Sequence, residues 1–175
     1  LQAMLDLGFA HFNGSDAVPR DMAASYRWFQ RAAHRGAVAA ECMLGDFHRE
    51  GLGGAKHDAA AAFRWYRITA TKHDACAAKS QYELYRSYAQ GHGVRQDLKT
   101  GIVWLQRSAD AGHRLVQQTL SQAYRDGHGV ARNADLERRW WRKSREGVAP
   151  HDDHEHDIPS FAGPLLSQKL APFLR

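Results

Sequence analysis

The sequence has little of what holds small secreted proteins or membrane proteins together. Its two cysteines, Cys42 and Cys76, are too few for a scaffold stapled by disulfides. They lie 34 residues apart, so they either form a single bridge or remain two reduced, partly buried thiols. No apolar run approaches the roughly 18 residues that a membrane-spanning helix needs. The sequence therefore predicts a chain without a membrane span.

Targeting signals are also missing. No secretory signal peptide is visible at Leu1, and the sequence has no initiator Met. We therefore expect a fragment or a processed form of a longer chain. The compartment stays open between the bacterial periplasm and the cytoplasm, and the oligomeric state stays open as well.

Common catalytic signatures are absent from the sequence. It contains no Ser-x-x-Lys, His-Glu-x-x-His or Cys-x-x-Cys motif. The stretch from Gly93 to Thr100 resembles a phosphate-binding loop only superficially, because Leu98 stands where a Gly must precede Lys99. We therefore predict that the chain is not an enzyme and that it holds neither a cofactor nor a metal ion.

The charge balance is mildly positive. Lys and Arg number 24 against 19 Asp and Glu, which gives a net charge of +5 and favours an acidic protein or peptide as partner. No basic module interleaved with aromatic residues appears, so nucleic acid is not predicted as a partner.

A fourfold internal repeat is the strongest signal in the sequence. A Trp recurs at intervals of 37, 39 and 36 residues, and each Trp follows a polar residue by seven positions. A Gly lies six or seven residues before that polar residue. The repeat predicts a stack of similar units that share one core threaded by the indole rings. The four positions are Trp28, Trp65, Trp104 and Trp140, which follow Asp21, Asp58, Asp97 and Asn133.

Each unit is predicted to be a pair of helices. In the third unit the first helix ends at Gly91, and Asp97 caps the second helix by accepting from its free N–H groups. A small residue in the first helix marks the place where the two helices cross closely. Tyr85 takes that place in the third unit and predicts wider packing or a local shift. The small residues of the other units are Gly8, Gly45 and Ser121.

The pattern Leu-Gly, Tyr, Gly-x-Gly-Val, Asp, Trp, Ala-Ala and Gly, over roughly residues 3–147, resembles the Sel1-like repeat family, which is related to tetratricopeptide repeats. The resemblance implies an all-α fold, a right-handed α-solenoid of about four helix-turn-helix repeats. It also implies a scaffolding or partner-binding role in bacterial envelope, signalling or toxin-immunity systems. The expected repeats are about 1–36, 37–73, 74–112 and 113–147, followed by a charged linker at 148–157 and a capping or docking segment at 158–175.

In such stacks the first helices line the concave side. Positions three before, one after and four after the small residue form a stripe that is predicted to point away from the core. Arg and Tyr on this stripe are typical of binding hot spots, although an ordinary solvated helix face would carry them too. The predicted partner-binding residues are Asp46, Arg49, Tyr82, Arg86, Gln118, Gln122 and Arg125.

The same stripe is apolar in the first repeat, where it consists of Leu5, Phe9 and Phe12. A bare apolar stripe is costly to expose. We expect a missing or neighbouring segment to cover it, or the stripe itself to be a contact patch.

The last predicted helix and the tail are rich in charge. Basic residues surround Trp140 and Trp141, which predicts either a core Trp with a solvated outer face or a basic and aromatic patch for an anionic partner. The run from His151 to Asp157 has metal-compatible side chains but no ligand pattern. We therefore predict a linker there rather than a metal site.

Two functions of different kinds follow from the sequence. The first is an interaction scaffold or adaptor that binds a partner protein or peptide through the concave groove, for example as an immunity or regulatory subunit. The alternative is a structural or signalling segment of a larger bacterial envelope protein, which the apolar stripe of the first repeat favours.

Overall fold

A computed structural model describes residues 1–146 of the chain. This range holds eight α-helices and no strand, so the predicted all-α fold is confirmed. The linker predicted at 148–157 and the segment predicted at 158–175 lie outside the described residues. The helices are α1 (Gln2–Asn13), α2 (Met22–His34), α3 (Val38–Glu50), α4 (Ala59–Thr69), α5 (Cys76–Gln90), α6 (Leu98–Asp110), α7 (Arg114–Asp126) and α8 (Ala134–Arg145). We call α1, α3, α5 and α7 the first helices and the other four the second helices.

The described chain divides into two compact units. The N-terminal unit comprises residues 1–80, and the C-terminal unit begins at residue 81. The boundary falls inside α5, so the first turn of that helix belongs to the N-terminal unit and the remainder to the C-terminal unit.

Each of the four second helices begins at the polar cap residue that the repeat predicts. The cap side chain accepts a hydrogen bond from a backbone N–H two or three positions later, as Asp21 does from Ala24 at 2.9 Å. The backbone N–H of each cap residue donates in turn to a carbonyl of the preceding first helix, as from Asp58 to His48 at 2.9 Å. These two bonds fix the angle at which the chain enters the second helix. The four caps are Asp21, Asp58, Asp97 and Asn133.

Two of the first helices end at a glycine in the left-handed conformation. Gly51 after α3 has φ 68° and Gly127 after α7 has φ 74°. Residues with a Cβ rarely adopt this backbone, whereas Gly adopts it without steric cost. The glycine stop that the repeat predicts is therefore confirmed at these two ends.

Aromatic rings form the centre of the N-terminal core. Phe47 of α3 contacts Phe12 of α1 and Phe29 of α2, with ring centroids 6.0 and 5.9 Å apart. Phe12 is only 3% exposed, and Leu5 and Phe9 lie half-buried against the same cluster. The expectation that a neighbouring segment covers this apolar stripe therefore holds at Phe12, against which α3 packs.

The C-terminal core is mostly aliphatic. Ile102 and Leu105 of α6 pack with Leu120 of α7 and Trp140 of α8. Tyr82 and Tyr85 of α5 are partly buried against this cluster. Helices α5 to α8 thus share one apolar centre within the C-terminal unit.

The indole rings lie nearer the edge of the core than the repeat predicts. Trp140 is buried, but the Trp of each of the first three repeats is only half-buried. The residue after each of these three Trp residues is fully buried instead, with exposures of 0, 1 and 0% for Phe29, Tyr66 and Leu105. The prediction of a core threaded by the indoles therefore holds for Trp140 alone, since in the other repeats the neighbouring residue points at the first helix.

The small residues lie at the helix crossings as the sequence predicts, except that in the third repeat the small residue is on the second helix of the pair. A Cβ added to Gly45 would lie 2.6 Å from Cε1 of Tyr66, so only Gly fits there. In the third repeat, Tyr85 stands at the equivalent position, but the facing helix carries Gly101. A Cβ on Gly101 would lie 3.3 Å from the Tyr85 carbonyl oxygen. The two helices still approach closely there, because the small residue has changed helix.

Candidate partner-binding surface

The predicted binding residue Asp46 lies inside the protein. Its side chain is 1% exposed, accepts a hydrogen bond from the Tyr66 hydroxyl at 2.8 Å and forms an ion pair with Lys79. Lys79 is itself 4% exposed, so the pair is shielded from water. Asp46, which the sequence predicts to contact a partner, is therefore not accessible to one in this structure, because the first turn of α5 covers its side of α3.

Arg49 is held at the edge of the same region. Its side chain is 18% exposed, with Nη1 3.0 Å from a Glu50 oxygen and Nη2 3.9 Å from an Asp46 oxygen. Both carboxylates therefore compete with any partner for this guanidinium.

A buried polar cluster surrounds the Asp46–Lys79 pair. The Ser80 hydroxyl lies 2.6 Å from the Thr69 hydroxyl and 3.7 Å from the Cys42 sulfur. Cys76, one turn before Ser80, is 2% exposed. We define the buried polar cluster as Cys42, Asp46, Tyr66, Thr69, Cys76, Lys79 and Ser80, all of which are 5% exposed or less.

The sequence contains a signal for this cluster. The positions equivalent to Lys79 on α3 and α7 are Ala39 and Leu115, and those equivalent to Ser80 are Ala40 and Val116. Polar residues at a position that is otherwise apolar indicate polar partners on the facing helix. The polar residues at these two positions of α5 are therefore visible when the repeats are compared position by position.

In the C-terminal unit, two of the predicted residues are largely structural. Tyr82 is half-buried against the core, burial raises its hydroxyl pKa, and this hydroxyl hydrogen-bonds the side chain of Thr119 on α7. The Arg86 side chain is 35% exposed, and its Nη1 lies 3.3 Å from a carboxylate oxygen of the buried Glu83. Arg86 thus offers one face to solvent while it neutralises a buried charge.

The most exposed of the predicted residues lie on α7. Gln122 is exposed, Gln118 is half-exposed, and the Arg125 side chain is 61% exposed. Arg125 is paired with Asp126 at 3.2 Å, but Asp126 is 60% exposed as well, and such surface pairs are weak. Of the seven predicted residues, Gln122 and Arg125 are thus the most accessible to a partner.

In the second helices α2, α6 and α8, a cationic side chain lies over the indole ring of a Trp. Arg31 lies 4.9 Å from the ring centroid of Trp28, and Arg107 lies 4.7 Å from that of Trp104. In α8, Lys143 lies 4.6 Å from Trp140, and Arg145 lies 6.0 Å from Trp141. Trp140 is 8% exposed and Trp141 is 43% exposed. Helix α8 therefore combines a core Trp with an exposed basic and aromatic outer face.

Other kinds of site find no support in residues 1–146. No three His, Cys, Asp or Glu side chains come together there as ligands for a metal ion. None of the described helices combines the length and apolar character needed to cross a bilayer.

Four capped helix pairs, with polar side chains on their exposed faces, define an all-α repeat protein of the solenoid class. The chain belongs to the Sel1 repeat family, whose model matches residues 1–36, 38–74, 78–113 and 120–147. Members of this family generally act as protein-interaction scaffolds rather than as enzymes. No curated protein matches the chain significantly.

Solved structures that are similar to this chain include two repeat proteins of bacteria. One is c5321, a protective antigen present in uropathogenic Escherichia coli strains and displaying an SLR fold, with a TM-score of 0.76 and 32% sequence identity. The other is a Sel1 repeat protein from Oxalobacter formigenes, with a TM-score of 0.73 and 24% identity. The matches cover 85% and 82% of this chain but only 31% and 55% of those two chains. At 24% identity the second match bears on the fold alone.

Proposed function

We propose that this chain is an interaction scaffold and that it binds an acidic protein partner through the exposed face of α7. The exposure of Gln122 and Arg125 carries the proposal. The side-chain bond between Tyr82 and Thr119 sets α5 beside α7. Arg86 and Gln122 each follow these residues by about one turn, so both belong to the same side of the C-terminal unit.

The partner surface is expected to be acidic and helical. Arg86 and Arg125 both present guanidinium groups, which bind carboxylates in a fixed fork geometry. The equivalent side of each earlier first helix receives the next first helix of the chain, as Phe47 of α3 packs on Phe12 of α1. A helix from a partner is the shape that suits the same side of α7. The immunity or regulatory role implied by the resemblance is one case of this proposal.

Charge reversal at α7 tests the proposal. The wild-type chain is immobilised, a bacterial lysate is passed over it, and the retained protein is identified and purified. We expect Arg125→Glu to weaken the affinity for that protein about tenfold or more, as the reversal of one contacting charge costs about 1.4 kcal/mol. Arg64→Glu, at an exposed position of α4, makes the same change of charge and serves as the control. Equal affinities for the two variants would remove the α7 surface from consideration.

Arg49 and Arg86 are less suitable for such a test. Arg49→Glu would place a carboxylate beside the buried Asp46, and Arg86→Glu would place one beside the buried Glu83. Both variants are expected to lose stability along with any loss of binding.

The alternative function, a structural or signalling segment of a larger envelope protein, has lost the observation that favoured it. The apolar stripe of the first repeat is not bare, because Phe12 lies within the N-terminal core. The interaction scaffold is therefore the function that we propose.

A further inference from the structure

The two cysteines of the chain lie next to each other inside the N-terminal unit. Cys42 of α3 is 0% exposed and Cys76, the first residue of α5, is 2% exposed. Both are free thiols, and their side chains hydrogen-bond each other. The sulfur of Cys42 also lies 3.7 Å from the hydroxyl of Ser80, one helical turn beyond Cys76. Cys42 and Cys76 thus lie one helical turn from side chains of α3 and α5 that are already in contact, which places a disulfide between the two helices within reach.

The surrounding contacts hold the two helices in register at this point. Lys79 of α5 pairs with Asp46 of α3, one turn beyond the thiols on both helices. At the start of α5, the backbone N–H of Cys76 donates to the Asp74 carboxylate at 3.0 Å. The thiols are thus fixed from both sides, so little chain entropy remains to be lost when they are joined.

The hydrogen bond also divides the thiol protons unequally. The bond to Cys42, together with burial, raises the pKa of the Cys76 thiol. The same bond lowers the pKa of the Cys42 thiol. Because the thiolate is the nucleophile, the lower pKa favours Cys42 as the attacking sulfur.

We propose that Cys42 and Cys76 are the site of a reversible intramolecular disulfide that joins α3 to the start of α5. The oxidant is a small-molecule or protein disulfide, which reacts by thiol–disulfide exchange. The Cys42 thiolate attacks one sulfur of that disulfide, forms a mixed disulfide and releases the first thiolate. The Cys76 thiolate then attacks the Cys42 sulfur and releases the second. The two protons of the cysteines end on the two released thiols, and the oxidant gains the two electrons that the cysteines lose.

The proposal has a consequence for the location of the chain. The disulfide is expected to persist in an oxidising compartment, whereas in the cytoplasm the two cysteines are expected to remain reduced thiols. The N-terminal unit would therefore contain the disulfide in one compartment and lack it in the other. This inference does not depend on the partner-binding proposal.

The equilibrium with glutathione tests the proposal on the full chain. The chain is equilibrated with defined mixtures of reduced and oxidised glutathione, quenched by alkylation and weighed by mass spectrometry, in buffer and again in denaturing urea. The disulfide form has lost two hydrogens and takes up no alkylating agent. We expect the equilibrium constant for its formation to be at least about 100-fold larger in the folded chain, because the bond closes a loop of roughly 35 residues in the unfolded chain. The oxidised chain should also melt at a higher temperature than the reduced chain.

Several outcomes would overturn the proposal. A constant no larger in the folded chain than in urea would mean that the native geometry resists the bond. A stable mixed disulfide with glutathione, or a disulfide-linked dimer, would mean that the two cysteines do not react with each other. The variant Cys42→Ser keeps a polar group beside Ser80 and is the control. Its melting temperature should not respond to the glutathione mixture, and the melting temperature of Cys76→Ser should behave in the same way.

Discussion

The ion pair between Asp46 and Lys79 yields a sharp prediction about stability. Lys79→Met removes the ammonium and leaves the Asp46 carboxylate, 1% exposed, with the Tyr66 hydroxyl as its remaining close donor. Breaking a buried pair in this way costs about 3–5 kcal/mol. Arg49, at 3.9 Å from the carboxylate, offsets part of that cost, so we expect about 3 kcal/mol. Asp46→Asn, which instead removes the negative charge beside the buried Lys79 ammonium, should cost a similar amount.

The double variant Asp46→Asn, Lys79→Met distinguishes the net contribution of the ion pair to stability from the cost of removing only one of its two charges. The Asn oxygen still accepts from Tyr66, the Met side chain fills the space of the Lys stem, and neither charge of the buried pair remains. We expect the double variant to lie within about 1 kcal/mol of the wild type and above either single variant. The free energy of unfolding is measured by urea titration, followed by circular dichroism and by tryptophan fluorescence to check that the two transitions coincide.

An exposed pair provides the control for these substitutions. Arg138 and Asp135 of α8 lie 2.5 Å apart, with side chains 64% and 90% exposed. Arg138→Met should cost no more than about 0.5 kcal/mol, because water screens such pairs. If the losses in the double variant were additive, with a total of about 6 kcal/mol, the two buried charges would not be stabilising each other, and the reasoning would be refuted.

Two further predictions concern the helix crossing and the helix caps. Gly45→Ala should destabilise the chain by about 1–3 kcal/mol in urea titration, because the new Cβ meets the Tyr66 ring and the strain exceeds the helix propensity gained; an unchanged or raised stability would contradict this. Asp97→Asn should reduce the loss of stability in acid, because hydrogen bonds from Thr100 lower the pKa of Asp97. The charged cap stabilises the fold above the unfolded pKa of about 3.9. That stability is lost as the pH falls through the folded pKa. Urea titrations at neutral and acidic pH should show the gap between wild type and variant closing in acid, and a constant gap would refute the assignment.

The features that depend on short stretches of sequence were predictable. A cap needs only its own side chain and the next three backbone N–H groups, so Asp21 and Asn133 could be placed without knowledge of the fold. The glycine stop at Gly127 depends on one backbone conformation and is local in the same sense. The exchange at Tyr85 was less visible, because the compensating Gly101 lies on the other helix of the pair.

The face that receives the next helix pair could not be predicted from one repeat alone. The helical period gives the angle between two side chains on one helix, but not the side from which the neighbouring pair approaches. The stripe predicted to face solvent contains Asp46 and Tyr82, and both contact the following first helix, at Lys79 and Thr119 respectively. The stripe is therefore the stacking face of the first helices. Within residues 1–146 the most exposed part of this stripe lies on α7, which no later first helix of that range follows. Under the proposed function, a partner helix would bind α7 as the next first helix binds the earlier ones, with Arg125 at the position equivalent to Arg49.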